Sequence, residues 1–185
     1  MININFQTRL SISKIRRPNP NLLIPHLLKK LPQITFKDKI DYLIDTCFFI
    51  WIFENHKDKK FEQFLKKNKC AITSFNAEEL IYVTHRIHDK LKESERRFFH
   101  HKANLYLLQI PVHPGEKEKE KQFVTSIIQG FNCIEHDPSD AVLLAVAIKI
   151  NADILTRDKH DLFNAHLNNC IKKYNVKILN TFPEE

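Results

Sequence analysis

Glycine is very scarce in this chain of 185 residues, which contains only Gly115 and Gly130. Loops that cradle phosphates and the fingerprints of dinucleotide-binding domains need clustered glycines, because other side chains keep the backbone away from the phosphate. The two isolated glycines therefore exclude both kinds of nucleotide-binding loop.

The cysteines are too far apart in the sequence to form a metal-binding or redox pair. No two of them have the CxxC spacing, and no secretory leader precedes them. This pattern favours buried thiols in a reducing cytosol over disulfides or a zinc knuckle, so we expect a cytoplasmic protein. The four cysteines are Cys47, Cys70, Cys133 and Cys170.

Long hydrophobic segments are absent as well. The longest apolar run covers residues 42–53 and is interrupted by Asp45. A transmembrane helix needs roughly 20 consecutive apolar residues, so we expect no membrane association.

The net charge of +7 is concentrated in the first part of the chain. Residues 1–40 contain eight lysines and arginines against the single acid Asp38, and the remainder is neutral. We therefore predict a basic N-terminal extension over residues 1–40 and one folded domain over residues 41–185. Such an extension is expected to meet a polyanion or an acidic partner. Its predicted nucleic-acid-binding residues are Arg16, Arg17, Lys29 and Lys30.

Short apolar segments alternate with helical patterns along the folded domain. A helical pattern follows residue 75 and continues to about residue 108. Strands that alternate with helices predict an α/β fold, a three-layer α/β/α sandwich with a central parallel sheet covered on both faces. The predicted strands are residues 42–44, 70–73, 110–112, 154–156 and 176–179.

One helix, predicted from Pro138 to about Ile150, is apolar on nearly every side. Asp137 is in position to cap it, and Lys149 is the only polar residue after Asp140. A helix of this kind is buried on all sides. It leads into the predicted strand at residues 154–156.

Acidic residues recur where the predicted strands end and the helices begin. Because these ends lie along one edge of an open α/β sheet, the acids can meet there. The alternative is that they are ordinary helix caps and turn residues, each cap contributing about 1 kcal/mol. The acids in question are Asp45, Glu79, Asp140 and Asp158.

A cluster of four carboxylates requires a compensating cation. Two unit charges about 4 Å apart repel by roughly 4 kcal/mol at an effective dielectric constant of 20, which exceeds the gain from a cap. Ligands that are all oxygen favour Mg²⁺ or Mn²⁺ over zinc. A cation held in this way suits hydrolysis of a phosphodiester bond.

Four segments, taken together, resemble the PIN-domain nucleases, and most closely the VapC-like ribonuclease toxins of toxin–antitoxin pairs. Their order and spacing match over roughly residues 41–181, including the Thr-Arg-Asp after the penultimate strand. The segments are LIDTCF (43–48), TSFNAEEL (73–80), DPSDAVLLAVAI (137–148) and ILTRDKHDL (154–162).

The resemblance implies divalent-metal-dependent cleavage of RNA, an antitoxin partner and a homodimer. Carried over by position, it makes the four junction acids both the catalytic residues and the metal ligands. It also gives supporting roles to Thr46, Thr156 and Asp161. A second hypothesis is a PIN-like module that binds RNA or a partner without cleaving.

Either of two adjacent acids, Glu78 or Glu79, could be the metal ligand from this helix. The row of helical positions from Glu79 passes through apolar residues, whereas the row from Glu78 passes through polar ones. We therefore predict that Glu79 faces the site. The competing interpretation makes Glu79 the partner of an Asn76 helix cap. Cys47 is predicted to be a core thiol rather than a nucleophile.

Overall fold

The computed structural model describes residues 31–80, 104–128, 138–158 and 172–183. Within them lie the six strands of one sheet. The strands are β1 (Gln33–Ile34), β2 (Tyr42–Ile44), β3 (Cys70–Thr73), β4 (Leu105–Leu108), β5 (Asp153–Leu155) and β6 (Ile178–Leu179).

Helices connect the strands. They are α1 (Thr46–Glu54), α2 (Asp58–Lys67), α3 (residues 74–80), α4 (Lys117–Ile127) and α5 (Pro138–Ile150), with a 3-10 turn at Lys172–Tyr174. The first strand of the predicted domain, β2, lies at its predicted position.

All strand pairs in the sheet are parallel, in the order β1-β4-β3-β2-β5-β6. The chain leaves β2 to build β3 and β4 on one side, then returns to build β5 on the other. Strand β2 is therefore central, and the direction of winding reverses between β2 and β5. Crevices at such reversals are where open α/β sheets bind ligands.

Both faces of the sheet are covered, as predicted. Successive residues of β2 point to opposite faces, so Leu43 and Ile44 enter different hydrophobic clusters and are each fully buried. Helices α1 and α2 cover one face, and α4 and α5 cover the other. The nearly all-apolar α5 is buried from Ala141 to Ala147. This is the predicted three-layer sandwich.

The third strand lies earlier in the sequence than predicted. We expected a helical pattern to about residue 108 and a strand at residues 110–112, but β4 is Leu105–Leu108. Asn104 has a left-handed backbone (φ 61°) immediately before it, and Leu105 and Leu107 pack into the core. The apolar run at residues 105–108 has no period of its own, which is why pattern alone assigned it to a helix.

The sheet extends into the predicted N-terminal extension. Strand β1 pairs with β4, so that Gln33 lies opposite Leu107, and Leu31 and Ile40 are each only 3% exposed. Residues 31–40 are thus packed against the domain. The four predicted nucleic-acid-binding residues of the extension lie outside the described residues.

None of the helices in the described part of the chain has the length and hydrophobicity needed to cross a membrane.

The pairing of β1 generates a prediction about truncation. A chain lacking residues 1–38 loses β1 and the buried Leu31, whereas a chain lacking residues 1–30 keeps both. The longer deletion should therefore be less stable than the shorter one by roughly 2–5 kcal/mol, the range for losing one large core side chain and its neighbours. Urea unfolding of the two truncated proteins measures this difference. Equal urea midpoints and equal denaturant slopes for the two truncated proteins would show that β1 contributes nothing to stability.

Candidate active site

The candidate site lies at the carboxyl ends of the central strands. Asp45 follows β2, Thr73 ends β3, and Thr156 follows β5. Because β2 lies between β3 and β5, these three chain segments meet at the reversal point of the sheet.

Asp45 is the centre of the site. It is only 6% exposed, and its backbone N–H donates to Leu155 O of the neighbouring strand. Its Oδ1 accepts hydrogen bonds from Thr46 N at 2.7 Å and from Asn76 Nδ2 at 3.4 Å. Its Oδ2 accepts from Thr156 Oγ1 at 2.6 Å and from Cys47 Sγ at 2.7 Å.

These four donors surround Asp45 in the manner required by an ionised carboxylate. Hydrogen bonds donated to carboxylate oxygens favour the charged form of the group. Burial raises the pKa of Asp45, and the negative charge of Asp158 raises it further, while the hydrogen bonds from Cys47, Thr156 and Thr46 act in the opposite direction. The site therefore holds a carboxylate whose charge is costly and which a cation would stabilise.

Thr156 and Cys47 connect Asp45 to the loop after β5. Thr156 Oγ1 donates to Asp45 and accepts from Asp158 N at 3.0 Å, and Cys47 Sγ accepts from Arg157 N at 3.0 Å. Burial and the neighbouring charge of Asp45 raise the pKa of the Cys47 thiol well above its ordinary value, so it is protonated and not a nucleophile. Instead of an inert core thiol, it is a half-buried hydrogen-bonding member of the site.

The second connection comes from α3, whose cap is Thr73 rather than Asn76. Thr73 Oγ1 accepts from Asn76 N at 3.0 Å and donates to Asn76 Oδ1 at 2.7 Å. Asn76 is therefore the third residue of the helix, so the interpretation of Asn76 as the helix cap is wrong. Its amide is turned toward Asp45, a role that the sequence analysis missed.

Glu79 joins the same network. Its Oε2 lies 3.1 Å from Thr46 Oγ1 and 3.2 Å from Asn76 Nδ2, the nitrogen that also contacts Asp45. The carboxylates of Asp45 and Glu79 thus share one amide neighbour. Glu78 instead pairs with His113 Nδ1 at 2.8 Å on the exposed side of the helix. Glu79 therefore faces Thr46 and Asn76, whereas Glu78 does not, and the assignment of Glu79 as the metal ligand stays a prediction.

The remaining predicted acids are Asp140, Asp158 and Asp161. Asp140 is 5% exposed in the first turn of α5, and Asp158 is half-buried after β5. Asp161 lies outside the described residues. Within the described ranges, no three His, Cys, Asp or Glu side chains form a group that could hold a metal ion. The predicted metal-ligand set therefore stays a prediction.

A comparison with known families agrees with this geometry. A model of the PIN domain matches residues 42–165, which is more than half of the chain. The chain belongs to the PIN domain family. Members of this family are nuclease-type hydrolases, so the resemblance seen in the sequence is confirmed at the level of the family.

A solved structure shares the fold of this chain. One similar chain comes from the crystal structure of VapBC2 from Rickettsia felis bound to a DNA fragment from its promoter. The identity is 16% and the TM-score 0.50, covering 76% of this chain and 98% of that one. A chain of a toxin-antitoxin complex from Klebsiella pneumoniae gives 16% identity and a TM-score of 0.45, covering 68% and 92%. No curated protein matches the sequence.

The burial of Asp45 generates a prediction about pH. In protein free of divalent metal, the pKa of Asp45 should lie above its ordinary value of 3.8. Between 3.8 and that raised pKa the folded state binds more protons than the unfolded state. The contribution of Asp45 to stability should therefore fall as the pH rises through this window.

A carboxyl-detected NMR titration measures this directly, and Asp38 is the matched control. Hydrogen bonds from the backbone and side chain of Thr35 lower the pKa of Asp38 below 3.8. Asp45 should therefore titrate at a higher pH than Asp38. The reverse order would contradict the assignment of Asp45 as a desolvated carboxylate.

The different surroundings of Glu78 and Glu79 generate a second prediction. Glu79→Gln keeps an oxygen that accepts from Thr46 and Asn76 but removes the charge, so Mn²⁺ affinity should fall by about 10–100-fold. Glu78→Gln loses only an exposed pair with His113 and should leave the affinity nearly unchanged. Calorimetric titration of both variants measures the difference. Equal losses would reject Glu79 as a ligand.

Proposed function

We propose that this PIN domain is a divalent-metal-dependent endoribonuclease that hydrolyses RNA phosphodiester bonds. The observation that supports this most strongly is the network joining Asp45 to Glu79 through Asn76 and Thr46 at the reversal point of the sheet. Helix capping alone does not require two carboxylates from different helices to share one amide.

The chemistry of these side chains fits Mg²⁺ or Mn²⁺. The donors are carboxylate oxygens, which both ions prefer, and the carboxylate of Asp45 is desolvated. Asp45, Glu79, Asp140 and Asp158 would hold the ion. Of the four hydrogen bonds to Asp45, the one from Asn76 at 3.4 Å is the longest.

The protein's own groups hold and orient the acids. Thr156 and Cys47 fix Oδ2 of Asp45, while Thr46 and Asn76 orient Glu79. When bound, a divalent cation would lower the pKa of a water ligand and neutralise charge on the attacked phosphate. Asp161 would support the site from the segment after β5.

The partners follow from the same proposal. We expect an antitoxin protein, a homodimer and a cytoplasmic location, in keeping with the resemblance to the toxins. Phosphate contacts from the basic extension, through Arg16, Arg17, Lys29 and Lys30, would add affinity for RNA.

The alternative function is a PIN module that binds RNA or a partner without cleaving. The two functions are separated by incubating the purified full chain with single-stranded RNA in Mn²⁺, in Mg²⁺ and in EDTA. Cleavage in either metal that stops in EDTA supports the nuclease, and binding without cleavage supports the module.

The proposed role of Asp140 generates a prediction. Asp140→Asn keeps the shape and hydrogen bonding of the side chain at the start of α5 but removes its charge. Cleavage in Mn²⁺ should fall by at least about a hundredfold, since a lost ligand costs more than a lost outer-shell partner. The circular dichroism spectrum and melting temperature should stay close to those of the wild type.

The control is Glu54→Gln, which removes one acid from the exposed end of α1. This variant should cleave at the wild-type rate. Full activity in Asp140→Asn would assign Asp140 to helix capping only.

A further inference from the structure

Arg157 lies beside the candidate site, where both its backbone and its guanidinium group make contacts. Its backbone N–H donates to Cys47 Sγ at 3.0 Å. Its neighbours in sequence are Thr156, which donates to Asp45, and Asp158. The backbone of Arg157 is therefore hydrogen-bonded to the same network that holds the carboxylate of Asp45.

The guanidinium group of Arg157 is also fixed. Its central carbon lies 4.2 Å from the centre of the Trp51 ring, and its Nη1 donates to Asn180 O at 3.0 Å. Trp51 packs on Phe48 at 5.2 Å and on Phe182 at 6.2 Å between ring centres. The stack thus places a planar cation on an aromatic support that is itself packed against the core.

This arrangement leaves donors of Arg157 available. A guanidinium has five N–H groups, and Nη1 makes its only hydrogen bond to a described residue. The residue is half-buried, so it remains partly accessible to solvent. A rigid, partly desolvated guanidinium is well suited to bind phosphate through two N–H groups at once.

We infer that Arg157 binds a phosphate of the RNA substrate beside the candidate site. This deepens the proposed function and rests on it. A cluster of carboxylates repels a polyanion, and a fixed positive charge one residue away from both Thr156 and Asp158 offsets that repulsion. The preorganised stack reduces the entropy lost when the phosphate binds.

The test uses the full chain in EDTA, so that no cleavage occurs. The probe is an oligouridylate of about 12 nucleotides, within the range of single-strand site sizes. Its affinity is measured from about 50 to about 200 mM salt, and Trp51, the only tryptophan, gives a fluorescence signal for the stack. Arg157→Gln should reduce affinity by about tenfold or more and flatten the salt slope by about 0.7.

Two further variants make the result specific. Arg157→Lys keeps the positive charge but loses the planar set of N–H donors that can bind a phosphate through two hydrogen bonds. It should therefore retain the salt slope while losing part of the affinity. Lys149→Gln is the matched control, since Lys149 is also a cation over an aromatic ring, 4.3 Å from the centre of Phe36, in the last turn of α5. It should change neither quantity.

The outcomes separate this inference from the proposed function. A wild-type chain that binds the probe through Arg157 but never cleaves RNA in Mn²⁺ or Mg²⁺ rejects the nuclease and supports only the phosphate contact of Arg157. A folded Arg157→Gln variant with wild-type affinity and salt slope rejects the inference, whatever the cleavage result. A wild-type chain that does not bind the probe rejects it as well.

Discussion

The structure depends on one costly feature, the carboxylate of Asp45 held out of water at the end of the central strand. A buried charge without partners is strongly destabilising, so the surrounding chain has to supply donors. They come from the start of α1, from α3 and from the loop after β5. Each of these segments is positioned by a different strand of the sheet. The parallel fold therefore makes the site possible, and the site in turn fixes how the strand ends are connected.

Helix capping and site formation are not alternatives in this protein. Asp45 caps α1 through Thr46 N and also accepts from two residues that are distant in sequence. At α3 the two tasks are divided, because Thr73 caps the helix and leaves the amide of Asn76 to contact Asp45 and Glu79. The simple interpretation of these polar residues as caps was thus correct in part and incomplete.

The fold was predictable where hydrophobic pattern and length agree. The strand at 42–44 and the nearly all-apolar α5 have only one reasonable interpretation. The same alternation predicted that the four acids lie where strands end and helices begin. Strand β4 was misplaced because its four apolar residues carry no period. The site contacts of Asn76, Cys47 and Arg157 were not predictable, since each residue has at least one partner 30 or more positions away that only the folded sheet brings close.

The bond between Thr156 and Asp45 spans 111 positions of the chain. A nascent chain that has emerged only as far as α4 contains Asp45, Thr46, Asn76 and Glu79, but neither Thr156 nor β5. In such a chain Oδ2 of Asp45 lacks one of its two donors, and one side of β2 has no neighbouring strand. The hydrogen bonds around Asp45 are therefore completed only after β5 and Thr156 have been synthesised.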